Sequence, residues 1–234
     1  MPLHVASFGS VYEFFSQGGF FMALLLICSV VSFAVIVMRG LALRRIWVIP
    51  WWIEGDIESL RPEIPEDLDK LERRVAGDES ALGRIVKAAL RHLNWSRAEN
   101  TEAVQTAARH EVVRLESGLF ILEVVVGIAP LLGLLGAVAG LVTVFANLGG
   151  SDTVSDPRGI AKGISEALST TIVGLAIAIP SLIAHSYYSK KIENMAVDME
   201  SLVAELLTKC YQYRARRMSA RVTQPAAEPG ADAS

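Results

Sequence analysis

The sequence predicts an all-α membrane protein with three transmembrane helices, two of which extend far into the cytoplasm as a helical bundle. Three long stretches lack Asp, Glu, Lys and Arg, namely residues 14–38, 124–151 and 167–189. A helix of about 20 apolar residues crosses a bilayer, so each stretch is long enough. The chain is 52% hydrophobic, close to a soluble average of roughly 45–50%. The gathering of apolar residues into blocks, more than their number, predicts the class.

The first transmembrane helix is predicted at residues 14–43, after an outside N-terminal segment at 1–13. That segment holds no Lys or Arg and so lacks the basic start of a cleaved signal peptide. Arg39, Arg44 and Arg45 follow the apolar run. Because basic residues mark the cytoplasmic flank of a span, the N-terminus is predicted outside and the next segment inside.

Residues 44–118 are charge-rich and are predicted to form a cytoplasmic helical domain. Near its start, Trp47, Trp51 and Trp52 fit an interfacial aromatic belt. Ser96, followed three residues later by Glu99, predicts a capping box at the start of a long helix. No breaker follows, so this helix is predicted to run unbroken to the end of the second span, on the order of 75 Å at 1.5 Å per residue.

The second transmembrane helix, predicted at 119–148, carries a stripe of small residues. These are Gly133, Gly136, Ala137 and Gly140. Small residues at this spacing let helix backbones approach closely in lipid, where packing drives association. Pro130 lies inside the span, where neighbouring groups can satisfy the carbonyl that it frees. The stripe predicts a span packed against other helices.

The remaining boundaries are an outside loop at 149–160, a third transmembrane helix at 161–189, a cytoplasmic helix at 190–217 and a disordered tail at 218–234. Asp156 and Pro157 are a plausible N-cap and first residue of the third helix. Lys190 and Lys191 again place the basic end inside. The apolar face of 190–217 suits packing against the cytoplasmic half of the long helix. The alternative is an amphipathic helix on the membrane surface.

Polar residues within the spans are the candidates for an ion pathway, because polar groups in a bilayer are costly. The middles of the spans hold hydroxyls and no carboxylate; the third helix has Ser169, Thr170 and Thr171. A proton carrier at mid-depth would therefore come from a partner. The alternative for the hydroxyls is hydrogen bonding to their own helix backbone.

Three ionisable residues sit at the ends of the spans. Glu166 is either functional or a solvated first-turn acid favoured by the helix dipole. Glu123 fits a snorkelling or ion-paired position, and His185 fits an interfacial anchor better than a proton relay.

Several functions are disfavoured. The net charge of −3 and the lack of a basic stripe argue against nucleic acid. Cys28 and Cys210 are read as ordinary thiols, with no disulfide framework and no metal site. No nucleophile–base pair, metal cluster or phosphate loop is present, so neither an enzyme nor a cofactor is expected.

Two motifs resemble the ExbB/TolQ proton-channel family, whose relatives include the flagellar stator protein MotA. The stretch 129–136, Ala-Pro-Leu-Leu-Gly-Leu-Leu-Gly, looks like its second-span motif, and 163–180, from Gly-Ile-Ser-Glu to Ala-Ile-Pro, looks like its third-span motif. Residues 32–39 resemble the end of its first span more weakly. The resemblance covers residues from about 15 to 215.

The resemblance implies an oligomeric ring of five copies in the bacterial inner membrane, whose second and third helices line a pore. An ExbD/TolR-like single-span partner would lie inside it and supply an essential aspartate, and a TonB- or TolA-like protein is a possible further partner. By motif, Thr171 matches a pore threonine and Glu166 the glutamate at the outer mouth. Pro130 and Gly133 fall on the second-span motif, and Gly174 and Pro180 on the third. The full set of predicted pore-packing residues adds Gly136, Ala137, Gly140 and Ala178 to these four.

Two departures affect the expected ion. Ala137 stands where ExbB and TolQ usually have a second pore threonine, and Ala139 replaces a common tryptophan. Loss of a hydroxyl removes a possible cation ligand, which favours protons. A sodium-driven channel of the same family and a non-conducting membrane scaffold remain alternatives at this point.

Overall fold

The computed structural model describes residues 19–61, 63–148 and 157–223, and every regular element in this part of the chain is an α-helix. The helices are α1 (Gly19–Ala42), α2 (Arg45–Val48), α3 (Trp51–Ser59), α4 (Pro65–Ala76), α5 (Ala81–Arg91), α6 (Arg97–Glu116), α7 (Phe120–Leu148) and α8 (Pro157–Thr223). They fall into two compact units. Unit 1 comprises residues within 1–42 and 116–190, and unit 2 those within 43–115 and 191–234.

Unit 1 contains the three helices that are long and apolar enough to cross a membrane: α1, α7 and the first part of α8. This confirms the three predicted apolar helices; residues 14–18 of the first span lie outside the described part. α1 packs against α7. A small core of Leu25, Val125, Ala129 and Ala178 joins all three helices.

The outer surface of unit 1 is made of large apolar side chains. Phe33 on α1, Leu131 on α7 and Ile172 on α8 are each exposed. Soluble monomers rarely expose apolar patches larger than a few hundred Å². The surface therefore suits contact with lipid or with other membrane helices.

Unit 2 has the opposite arrangement, with large apolar residues inside. Ile53, Leu82 and Ile85 from α3 and α5 are buried. Ile192, Met195, Met199 and Leu206 on α8 are also buried. Arg97 of α6 donates to Thr208 of α8 at 3.2 Å, so the two helices meet inside this unit. The apolar face of residues 192–206 is therefore buried within unit 2, where α8 contacts α6; its packing as an extended bundle stays a prediction.

The predicted unbroken helix from 97 to 148 is wrong, because residues 117–119 form a turn between α6 and α7. In this turn Leu119 N donates to Glu116 O at 2.7 Å. Gly118 costs about 1 kcal/mol in a helix relative to Ala. It also lies directly against the Arg39 guanidinium, where a Cβ atom would overlap. Glycine is a poor helix former at this position and leaves room for the Arg39 guanidinium.

Two predicted boundaries also change. α8 begins at Pro157, as the N-cap pattern predicted, so residues 157–160 of the predicted loop are helical. The same helix continues to Thr223, past residue 217 where a disordered tail was predicted to begin. Asp156 and the rest of the predicted loop and tail lie outside the described residues.

Candidate functional site

The candidate site lies in unit 1, where α7 and α8 touch backbone to backbone. A Cβ atom on Gly133 would come within 2.8 Å of the Thr170 carbonyl oxygen and 3.1 Å of Thr171 Cα. A Cβ on Gly174 would come within 2.6 Å of the Ala129 carbonyl oxygen. Real Cβ atoms do not approach backbone this closely, so neither glycine can be replaced without moving a helix. The family motifs thus meet each other at this crossing.

Small residues continue the same contact along α7. A Cβ on Gly136 would lie 3.1 Å from both Phe21 Cβ and Thr170 Oγ1, and one on Gly140 would lie 3.1 Å from Ala167 Cβ. Ala137 is also buried. The structure therefore brings the predicted small residues into one helix interface within a single chain. Whether they also line a pore stays a prediction.

Pro130 and Pro180 both lie inside helices that continue past them. Each proline lacks an N–H and so frees the carbonyl four residues earlier. Pro130 is half-buried, whereas Pro180 is exposed on the outer surface of unit 1. Ala178, two residues before Pro180, belongs to the buried core cluster.

The three hydroxyls of the third span have different hydrogen-bond partners. Ser169 Oγ donates to Ser165 O of its own helix at 2.8 Å. Thr170 Oγ1 lies 2.7 Å from Ala167 O, on its own helix, and 3.1 Å from Gly133 O across the interface. Thr171 Oγ1 lies 3.3 Å from Gly133 O. Among the hydrogen bonds of the described residues, this bond across the interface is the only one that the Thr171 hydroxyl makes. The backbone alternative is confirmed for Ser169 and wrong for Thr171.

Hydrogen-bond counting separates Thr170 from Thr171. A hydroxyl has one proton and two lone pairs. The single proton of Thr170 goes to the nearer oxygen, Ala167 O, and the buried side chain is thereby fixed. The proton of Thr171 is directed to Gly133 O, which leaves its lone pairs as acceptors on a side chain that is only half-buried. Thr171 is the hydroxyl that can still serve a second group.

Glu166 is not in the first turn of its helix. α8 begins at Pro157, more than two turns earlier, and the dipole effect falls off within one turn. The first-turn interpretation is therefore wrong. Its carboxylate lies 3.7 Å from Lys162 Nζ, one turn nearer the helix start. Glu123 is exposed and His185 half-buried, and their functions remain predictions.

Sequence reasoning missed the polar contacts between α1 and α8. Ser32 Oγ and Ser181 Oγ lie 2.6 Å apart in a buried contact. Tyr188 Oη donates to Ile36 O at 2.9 Å, beside Gly40, whose missing side chain leaves room for the ring. The available signal was the presence of several serines in each of two apolar runs, which does not say which two of them pair.

In the part of the chain that the structure describes, no three His, Cys, Asp or Glu side chains come together as metal ligands. Cys210 is buried and Cys28 half-buried, and neither is in a disulfide.

Comparison with known proteins identifies relatives over most of the chain. Residues 78–201 match the model of the MotA/TolQ/ExbB proton channel family. A biopolymer transport protein of Synechocystis, ExbB-like 1, is 30% identical over 96% of this chain and 91% of its own length. An ExbB homolog from Methanothermobacter thermautotrophicus is 30% identical over 85% of this chain and 70% of its own length. The Tol-Pal system protein TolQ of Haemophilus influenzae is 26% identical over 80% of this chain and 86% of its own length.

Proposed function

The chain belongs to the MotA/TolQ/ExbB proton channel family, and we propose that it is the proton-channel subunit of an ExbB/TolQ-type motor in the bacterial inner membrane. The motor would use the proton motive force to energise envelope or outer-membrane transport. Support comes from relatives named for biopolymer transport and for the Tol-Pal system. The N-terminus would lie outside and the C-terminus in the cytoplasm, as the flanking basic residues predict.

The observation that carries this proposal is the chemistry of the α7–α8 crossing. Moving a proton across the membrane yields about 2.3 kcal/mol per 100 mV, but it needs a titratable group at mid-depth. Residues 124–151 contain no ionisable side chain, and Thr171 offers only a hydroxyl. The carboxylate is then supplied by an ExbD/TolR-like partner whose single span carries an aspartate.

Thr171 would bind that carboxyl group in one protonation state more than in the other. Its proton is directed to Gly133 O, so its lone pairs accept a hydrogen bond. A protonated aspartic acid has an O–H to donate, whereas the ionised form has none. Thr171 would therefore hold the protonated carrier during its passage. Ser169 and Thr170 would support the pathway from the same helix segment, and Glu166 with Lys162 would stand at its outer end.

Assembly would follow from the two faces of unit 1. The contacts of Gly133, Gly136, Gly140 and Gly174 are satisfied within one chain and fix the α7–α8 pair as a wall. Five copies of this wall would form a ring around the partner, and a TonB- or TolA-like protein would receive the transmitted force. The exposed apolar residues of unit 1 would then contact lipid and neighbouring copies.

The test is proton flux into vesicles that contain the full chain with its single-span partner. Thr171→Val keeps the size of the side chain but removes the hydroxyl, and we expect flux to fall by about tenfold or more. Thr171→Ser is the matched control and should retain flux. Ser169→Ala should also retain it, because that hydroxyl is bonded within its own helix. Undiminished flux in Thr171→Val would remove this residue from the pathway.

The same vesicles separate the alternatives. Replacing sodium with potassium abolishes transport in a sodium-driven channel and leaves a proton channel unchanged. A non-conducting scaffold shows no flux, and its cellular function survives uncouplers. A Glu166→Gln variant with unchanged flux would exclude a function for the Glu166 charge at the outer mouth.

A further inference from the structure

The start of unit 2, from Leu43 to Trp51, has a buried side and an exposed side, and both hold apolar residues. One side belongs to the core of the unit, where Leu43, Val48 and Ile49 are almost fully buried. The other side is open: Ile46 is 60%, Trp47 71% and Trp51 73% exposed. The buried side is enough to hold this segment in the unit, so the exposed apolar side indicates a second apolar or amphipathic surrounding.

The neighbouring Trp52, in contrast, is packed against other side chains of unit 2. It is half-buried, and the Arg74 guanidinium lies over its ring at 4.8 Å from the centroid. Arg74 is in turn held by both carboxylate oxygens of Asp56, at 2.6 and 2.7 Å. Trp51, one residue earlier on the same helix, remains exposed. The sequence placed all three tryptophans in one belt, whereas the structure separates Trp52 from the other two.

Chain connectivity and charge identify what covers the open side. Only Leu43 and Arg44 separate α2 from the end of α1, an apolar helix whose last turns expose Met38 and Leu41. In the sequence, the open side therefore follows directly after a helix suited to lipid. Arg44 is exposed beside it and is a cation for phosphate. Tryptophan has an apolar body and a polar N–H, and it concentrates at the headgroup level of bilayers.

We propose that Arg44, Ile46, Trp47 and Trp51 form an interfacial anchor that binds the phospholipid headgroup layer of the cytoplasmic leaflet. Trp47 and Trp51 insert their rings between headgroups, and Arg44 pairs with phosphate. The test of this anchor needs no transport, so its failure would leave the proposed channel function standing.

The four tryptophans of the chain permit a direct test with single-tryptophan variants of the full-length protein, the other three being changed to Phe. Each variant is reconstituted in vesicles of phosphatidylethanolamine and phosphatidylglycerol, with and without bromine on the acyl chains near the headgroup. We expect the bromine to quench roughly half of the emission of Trp47 and of Trp51, because both would lie at the interface. Trp95 is the matched control, exposed at 48% and separated from α7 by the 20-residue helix α6, and it should be quenched little.

Two results would overturn the anchor. Bromine quenching of Trp47 and Trp51 no stronger than that of Trp95 would place them away from lipid. Protection from both bromine and aqueous iodide would show that protein, such as a second copy, covers this side. Arg44→Glu should reduce the bromine quenching of Trp47, whereas Arg91→Glu at the end of α5 should not. Equal quenching in these two variants would remove Arg44 from the anchor.

Discussion

The two units of this chain are packed in opposite ways. In unit 1 the helix contacts are made by small residues such as Gly133 and Gly174, and large side chains such as Leu131 are exposed. In unit 2 large side chains such as Ile85 and Met199 are buried. Water drives large apolar groups together, but lipid does not, so close backbone packing has to replace that force in a membrane. The two units of one chain are thus stabilised differently, by close backbone packing in lipid and by burial of large apolar side chains in water.

The polar contacts differ in the same way. Unit 2 buries a charge, the carboxylate of Glu111. It accepts one hydrogen bond from Arg84 Nε at 2.7 Å and a second from Nη2 of the same guanidinium, and it lies 3.5 Å from Arg114. In unit 1 the buried contact between α1 and α8 joins two neutral hydroxyls, Ser32 and Ser181. Desolvating charges in lipid is costly, so neutral partners are expected there.

The largest effect on stability is expected from adding a side chain at the α7–α8 crossing, which tests the close backbone packing of unit 1. Gly174→Leu forces a Cβ into the Ala129 backbone, and we expect a loss of about 3 kcal/mol or more in the free energy of unfolding. Gly127→Leu on α7 is the control, because a Cβ there meets nothing within 4 Å. Thermal unfolding in detergent, followed by circular dichroism, measures both. Equal midpoints for the two variants would show that the crossing is not tightly packed.

In unit 2 the corresponding test is the buried ion pair. Arg84→Met leaves Glu111 buried without its two-bond partner, and we expect a loss of about 2–3 kcal/mol, below the range for fully buried pairs because Arg84 is partly exposed. Urea unfolding of the full chain in micelles gives the value. The double variant Arg84→Met with Glu111→Leu should recover much of the loss, since no buried charge remains and Arg114 is exposed. A double variant as unstable as the single one would contradict this account.

A smaller effect is expected from the hydroxyl contact of unit 1. Ser181→Ala removes the partner of Ser32 and should lower the free energy of unfolding by about 1 kcal/mol. Ser169→Ala removes a hydroxyl that is bonded only within its own helix and should be nearly neutral. Unfolding in mixed micelles compares the pair. Equal destabilisation would mean that the contact between α1 and α8 adds nothing specific.

The smallest expected effect is pH-dependent and belongs to the capping box of α6. The hydrogen bonds from Ser96 lower the pKa of the Glu99 carboxyl below its ordinary value of 4.5. A lowered pKa means that the ionised form is favoured in the folded chain. Its stabilisation is therefore present above the ordinary pKa and is lost as pH falls through the lowered one. Amide protection at the start of α6, measured by NMR, should fall over that range in the wild type and stay flat in Glu99→Gln. Parallel profiles of amide protection against pH in the two proteins would contradict the capping box.

Local patterns in the sequence predicted the elements well. The capping box forms as Ser96 and Glu99 predicted, with bonds of 2.9 and 3.2 Å, and α8 begins at Pro157. The small-residue stripe of α7 does meet α8. These features depend on neighbours in sequence or on composition, which a single chain displays directly.

What the sequence did not predict depends on contacts distant in sequence. Gly118 contacts the Arg39 guanidinium, and nothing near residue 118 indicates that arginine. The difference between Thr170 and Thr171 depends on the position of the Gly133 carbonyl on another helix. Likewise, Trp52 differs from Trp51 because Arg74 lies over its ring.

In the proposed channel, the carboxylate for proton transfer comes from a partner and not from this chain. Proton flux into vesicles, driven by a membrane potential, tests it most directly when the chain is reconstituted alone and together with its single-span partner. We predict no flux above that of empty vesicles for the chain alone, and flux that appears with the partner and disappears when the partner's aspartate is changed to Asn. Flux of equal size from the chain alone would contradict the claim.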